Sequence, residues 1–142
     1  MSTFAEVVWQ GPGTMGFDAQ SGSGHAVSMD GAPEAGGANR AARPMELILI
    51  GAGGCMSFDI VLILQKSRKD IRGCQVKIKA ERAETEPKVF TEIHFEFTVQ
   101  GRGLTAEQVQ RAIDLSKEKY CSATAMLAKT AKVTTGFVLE EV

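Results

Sequence analysis

Cys55 and Cys121 are the two side chains in this sequence best suited to chemistry, and each stands in a telling local context. Cys55 lies within LILIGAGGCMSFDIVLIL, a run that reads as the middle of a buried helix yet holds Gly51, Gly53 and Gly54. Three glycines in a helix interior give up about 3 kcal/mol of propensity against alanine, so something there needs a bare backbone. With Ala52, they form a surface that another backbone can approach closely beside the thiol. Cys121 stands just before SATAMLAK, where the positive end of a helix dipole lowers a thiol's pKa and favours thiolate. If the small-faced helix preceding Cys121 packs across the glycine patch, the two sulfurs come within disulfide reach and form a dithiol redox pair. Spacing alone does not establish proximity, and both thiols also read as small core hydrophobes. Cys74, after Gly73 at a strand start, reads as structural.

Charged groups near the first thiol add to the redox reading. Arg40 and Arg43 precede the glycine-bearing helix, and Glu46 stands in its first turn. A guanidinium near a thiol stabilises thiolate and can hold the oxygen of a bound peroxide. A carboxylate can hold that arginine in place. Other chemistries find little support. No C-x-x-C, H-E-x-x-H or clustered His/Cys set provides metal-ligand spacing, so no metal is expected. His25 and His94 fall in separate strands. GPGTMG and GAGG lack the strand-to-helix context of phosphate loops, and Ser57 and Ser122 lack a nucleophile-elbow pattern.

The elements that must position these groups follow from periodicity. Strands are expected near residues 3–9, 15–18 and 25–29, separated by QGPGTMG and AQSGSG, as a small meander. DGAPEAGGANRAAR, residues 30–43, has no periodicity and reads as a disordered or functional loop. Pro44 suits the first helical position, and the helix is expected over 44–68, with Lys66, Arg68 and Lys69 near its negative end. Its apolar character nearly all round predicts burial on most sides. Val76, Ile78 and Ala80 then alternate with lysines and Glu81, and Ile93, Phe95, Phe97 and Val99 alternate with Glu92, His94, Glu96 and Thr98. Both patterns predict half-buried antiparallel strands, with ETEP as the turn. Thr105 with Gln108 makes a capping box opening a helix to about residue 120, with Val109, Ala112, Ile113 and Ser116 on one face. A short helix capped by Cys121 or Ser122 and a strand over 133–139, bulged or kinked at Gly136, close the chain. The class is α+β, with antiparallel sheet packed on a long central helix in one domain.

The totals restrict what this domain can do. The chain has 142 residues, 44% hydrophobic and 23% charged, with net charge −1. Near-neutrality and scattered basic residues argue against nucleic acid or anionic membrane as a partner. Residues 45–64 are long enough to span a bilayer, but Glu46, Asp59 and the glycines argue for a buried helix instead. MSTFAEVVWQG has no basic flank before an apolar core, so no export signal is read there and the cytoplasm is the expected location. In that compartment three cysteines are reduced by default, and any disulfide is transient.

RPMELILIGAGGCMSFD and KEKYCSATAML resemble the two cysteine segments of the OsmC/Ohr-like family, in the form of its YhfA-like branch. The resemblance implies an intertwined homodimer with the site at the subunit interface. It also implies a thiol-dependent peroxidase acting on organic hydroperoxides without a cofactor. Carried over, Cys55 is the peroxidatic thiol that becomes a sulfenic acid, and Cys121 the resolving thiol that condenses with it. Glu46 matches the carboxylate that orients an arginine, here Arg40 or Arg43. A dithiol reductant, a lipoyl protein or a thioredoxin-type donor, would restore the pair. Two readings of other classes compete: a non-catalytic stress or small-ligand-binding protein, and a thiol redox sensor.

Overall fold

The computed structural model describes residues 1–142, and they divide into two compact units, Met1–Leu49 and Ile50–Val142. In the first, β1 (Ala5–Trp9), β2 (Phe17–Ser21) and β3 (Ala26–Met29) form the expected antiparallel meander, in the order β1-β2-β3. Every residue of β1 is exposed, Val7, Val8 and Trp9 among them.

The segment between β3 and the helix is built rather than slack. It holds a single 3₁₀ turn, Pro33–Ala35, and Met29 bridges Ala42. Asp30, 5% exposed, organises it. Its carboxylate accepts the backbone N–H groups of Gly31 at 2.7 Å, Ala38 at 3.2 Å and Arg40 at 3.1 Å. One side chain thus replaces the ladder that the Gly/Ala-rich sequence cannot form. The Arg40 amide, ahead of the opposing effect of burial, holds the Asp30 carboxyl below the ordinary carboxylate range. Because the folded value is lowered, this support is present above the ordinary range and is lost as pH falls through the lowered value. Asp30→Ala is expected to speed amide hydrogen exchange at Ala38 and Arg40 by about tenfold or more, the loss of a hydrogen bond to a charged acceptor. Unchanged exchange would mean that the segment is held by something else.

The helix α1 runs Pro44–Lys66, close to the expected 44–68. Its buried residues are Ala52, Gly53, Met56, Ile60 and Leu64, a single stripe. Burial on most sides, read from its all-round apolarity, does not occur within one chain: Ile50 is 60% and Phe58 68% exposed. The helix is long and apolar enough to cross a membrane, and 28% of its most apolar window is buried.

In the second unit, β4 (Asp70–Arg82) and β5 (Phe90–Arg102) pair antiparallel, and β6 (Lys132–Glu141) joins the other side of β5. The β5–β6 pairing is parallel, so this sheet is mixed rather than antiparallel as expected. The crossover through two helices lets the last strand run the same way as β5. Ile93, Phe95, Phe97 and Val99 form the buried face of β5, as the alternation predicts. Gly136 does not bulge; it stays in register opposite Glu96. A Cβ there would lie 2.5 Å from the Glu96 carboxylate oxygen, a contact that a shift of the glutamate tip relieves. On the same polar face, His94 lies between Thr134 at 2.7 Å and Glu96 at 2.9 Å.

Candidate active site

Cys55 is borne by α1, nine residues after Glu46 and four before Asp59. An i, i+4 spacing puts Cys55 and Asp59 on one helix face. The second half of the site comes from the turn after α2 (Ala106–Leu115). The expected capping box is present: Thr105 Oγ1 accepts from the Gln108 amide, and the Gln108 side chain accepts from the Thr105 amide. Val109, Ala112 and Ile113 are buried.

The helix does not continue as α to residue 120. Ser116–Tyr120 forms one π turn, closed by the Cys121 amide donating to the Ser116 carbonyl at 2.7 Å. A turn widened by one residue shifts which side chains face a neighbouring element, and such turns recur at functional sites. Ser116 is fully buried, and its hydroxyl donates to Asp59 Oδ2 at 2.9 Å. Cys121, 2% exposed, is the N-cap of α3 (Ser122–Leu127), where its Sγ accepts the Thr124 amide at 3.4 Å.

These elements bring Cys55 Sγ, Cys121 Sγ and an Asp59 carboxylate oxygen within 4.8 Å of one another. All three cysteines are free thiols. A disulfide needs sulfurs about 2.05 Å apart, so the two thiols must move closer before they can bond. Cys74 stands elsewhere, in a lining with Gly54, Ser57, Phe58 and Gln65. Burial pushes its thiol up, against a smaller opposing effect of Ser57.

Two sequence readings change here. The glycine patch was expected to admit another backbone. Instead Gly53 faces β4 side chains, where a Cβ would lie 2.6 Å from Ile78 Cδ1, and Gly51 and Gly54 meet nothing within 4 Å. The dipole was expected to lower the Cys121 pKa. Burial, the largest effect, raises it; Thr124 opposes the rise, and neighbouring Cys55 adds to it. A six-residue helix offers too little dipole to offset the desolvation of a buried thiolate.

Because Cys121 and Cys74 have raised values in the fold, the stability they lend is fully present below the ordinary thiol range and is lost as pH rises through the raised values. Alkylation of Cys121 is expected to lag that of a free thiol through the mildly alkaline range, with its rate-against-pH midpoint shifted upward. A midpoint at or below the free-thiol value, read by mass spectrometry of the Cys121 peptide, would contradict the burial argument.

Arg40, Arg43 and Glu46 belong to the first unit. Glu46 Oε1 accepts the backbone N–H of Arg43 at 2.9 Å, the return half of a capping box at the start of α1. The ion pairs of the chain are Arg72–Asp70 and His94–Glu96, so Glu46 grips an arginine through its amide rather than its guanidinium. Arg43 Nε is buried with no hydrogen-bond partner.

Asp59 and Ser116 are the members that sequence reasoning missed as site residues. Asp59 was noted as a charge inside an apolar run, and its i+4 spacing from Cys55 was the available signal. Ser116 gave no such signal, because its approach to Asp59 depends on the π turn.

A family model described as OsmC-like protein matches residues 36–136, across both units. The protein YhfA of Escherichia coli K12 is 47% identical over 118 residues, covering 83% of this chain and 85% of that protein. Among solved structures, an OsmC-like protein of unknown function from Vibrio cholerae superposes with a TM-score of 0.84 at 13% identity. It covers 97% of this chain and 99% of that one. An organic hydroperoxide resistance protein from Elizabethkingia anophelis superposes with a TM-score of 0.74 at 18% identity, covering 99% and 97%.

Proposed function

The chain belongs to the OsmC-like family, and from that premise we propose that it is a cysteine-based peroxidase that reduces organic hydroperoxides through Cys55 and Cys121. The observation that carries the reading is the approach of these two sulfurs, from distant segments of sequence, to within 4.8 Å. Family likeness supports the substrate class, since structural relatives include organic hydroperoxide resistance proteins.

In this reading the Cys55 thiolate attacks the outer oxygen of ROOH. The O–O bond breaks, ROH leaves with a proton, and Cys55 becomes a sulfenic acid. Cys121 then attacks that sulfur, the S–O bond breaks, and water leaves with the Cys121 proton. An external dithiol of the lipoyl or thioredoxin type reduces the disulfide by exchange. On the family resemblance alone, the guanidinium that steadies the peroxide is assigned to Arg40 or Arg43, and Glu46 acts by holding the Arg43 backbone amide. The test is hydroperoxide consumption by the reduced protein with a dithiol donor, comparing organic hydroperoxides with hydrogen peroxide. Multiple turnovers with the organic substrates are expected; no consumption above the donor's own rate would overturn the reading.

The protein is proposed to work in the cytoplasm as a homodimer. Exposed Ile50 and Phe58 on α1, together with the uncovered β1, are apolar surface of the kind a second copy buries. Sedimentation is expected to give twice the 15.2 kDa chain mass, and Phe58→Glu to shift it towards the monomer. A monomeric wild-type protein would contradict this.

A further inference from the structure

We propose that the reduced site binds one thiophilic divalent metal ion of the zinc class, held by Cys55 Sγ, Cys121 Sγ and the Asp59 carboxylate. Zinc prefers thiolate, imidazole and carboxylate donors in tetrahedral array, with Zn–S near 2.3 Å and Zn–O near 2.0–2.2 Å. Those bond lengths put two sulfur ligands about 3.8 Å apart, and a sulfur and an oxygen about 3.5 Å apart. The three donors already lie within 4.8 Å of one another, about an ångström beyond those separations.

Asp59 takes part in no ion pair, and the donor set contains a carboxylate and two thiols with no basic member. Ser116 donates to one carboxylate oxygen, Oδ2, which orients the group and leaves lone pairs on the carboxylate for a ligand bond. Two donors share one face of α1, and the third caps α3. The donor set is thus spread over two separate elements of one folded unit. Binding releases the two thiol protons and forms two metal–sulfur bonds, with no change of oxidation state; the fourth position falls to solvent. The ion and the Cys55–Cys121 disulfide exclude each other, since the same sulfur electron pairs make either set of bonds. The metal site rests on donor geometry, and only its consequence for turnover rests on the peroxidase reading.

The test is titration of reduced, oxygen-free protein with cobalt(II) as a coloured probe, followed by displacement with zinc. One ion per chain is expected, with a sulfur-to-cobalt charge-transfer band that weakens in Cys55→Ser and in Cys121→Ser and is unchanged in Cys74→Ser. Asp59→Asn is expected to weaken affinity by at least about tenfold, and Ser116→Ala by about 10- to 100-fold, the usual effect of removing an outer-shell partner. Far-UV circular dichroism verifies that each variant is folded. Absence of the band in wild-type protein, a band of full intensity in either site-cysteine variant, or undiminished affinity in Asp59→Asn would overturn the proposal. Peroxide consumption measured on the same metal-free protein reports separately on the peroxidase reading.

Discussion

A Cys55→Ser protein is expected to lose hydroperoxide consumption by about a thousandfold or more while keeping its fold. The attacking species is a thiolate, and a serine hydroxyl has no comparable anionic form near neutral pH. The substitution exchanges sulfur for a smaller oxygen at a half-buried helix position, so its structural cost is small. The neighbouring core residues Met56 and Ile60 are untouched. The assay is disappearance of an organic hydroperoxide with excess dithiol, with thermal unfolding of the same sample as control. Wild-type activity in this variant would remove Cys55 from the mechanism.

Cys121→Ser is expected to act differently. The first step remains, so each chain consumes one equivalent of peroxide and then stalls with Cys55 as a sulfenic acid. A dione probe selective for sulfenic acids should label Cys55 stoichiometrically in this variant and weakly in wild-type protein. Folding is preserved for a local reason. Cys121 caps α3 by accepting the Thr124 amide, and serine is among the best residues for that position. Wild-type turnover with the same dithiol, and no trapped adduct, would show that Cys121 is not the resolving thiol.

Much of the frame was legible because it depends on local pattern. Alternation marked β4 and β5, Pro44 marked the start of α1, and Thr105 with Gln108 marked α2. What failed depends on neighbours distant in sequence. A strand's own residues do not reveal whether its partner runs parallel, and the β5–β6 pairing was missed for that reason. The all-round apolarity of α1 predicted cover, but cover supplied by another molecule cannot be told from cover supplied by the same chain. Composition leaves the 30–43 segment open between disordered and functional, because nothing in it shows that Asp30 folds back onto three of its amides.

The site was legible in its thiols and only in part beyond them. The two cysteine segments pointed to a pair, and the structure places Cys55 and Cys121 together. Asp59 joins them because helical spacing carries it to the same face, a relation that linear metal motifs do not encode. Ser116 and the raised Cys121 pKa follow from a π turn and from burial, neither of which has a signature in the residues themselves.

The most direct measurement is peptide mapping after one equivalent of an organic hydroperoxide is added to the fully reduced protein. A disulfide joining Cys55 to Cys121 within one chain is the predicted product, with Cys74 still a thiol. Recovery of Cys55 and Cys121 unlinked after the peroxide has been consumed, or linkage of Cys55 to Cys74, would contradict the account.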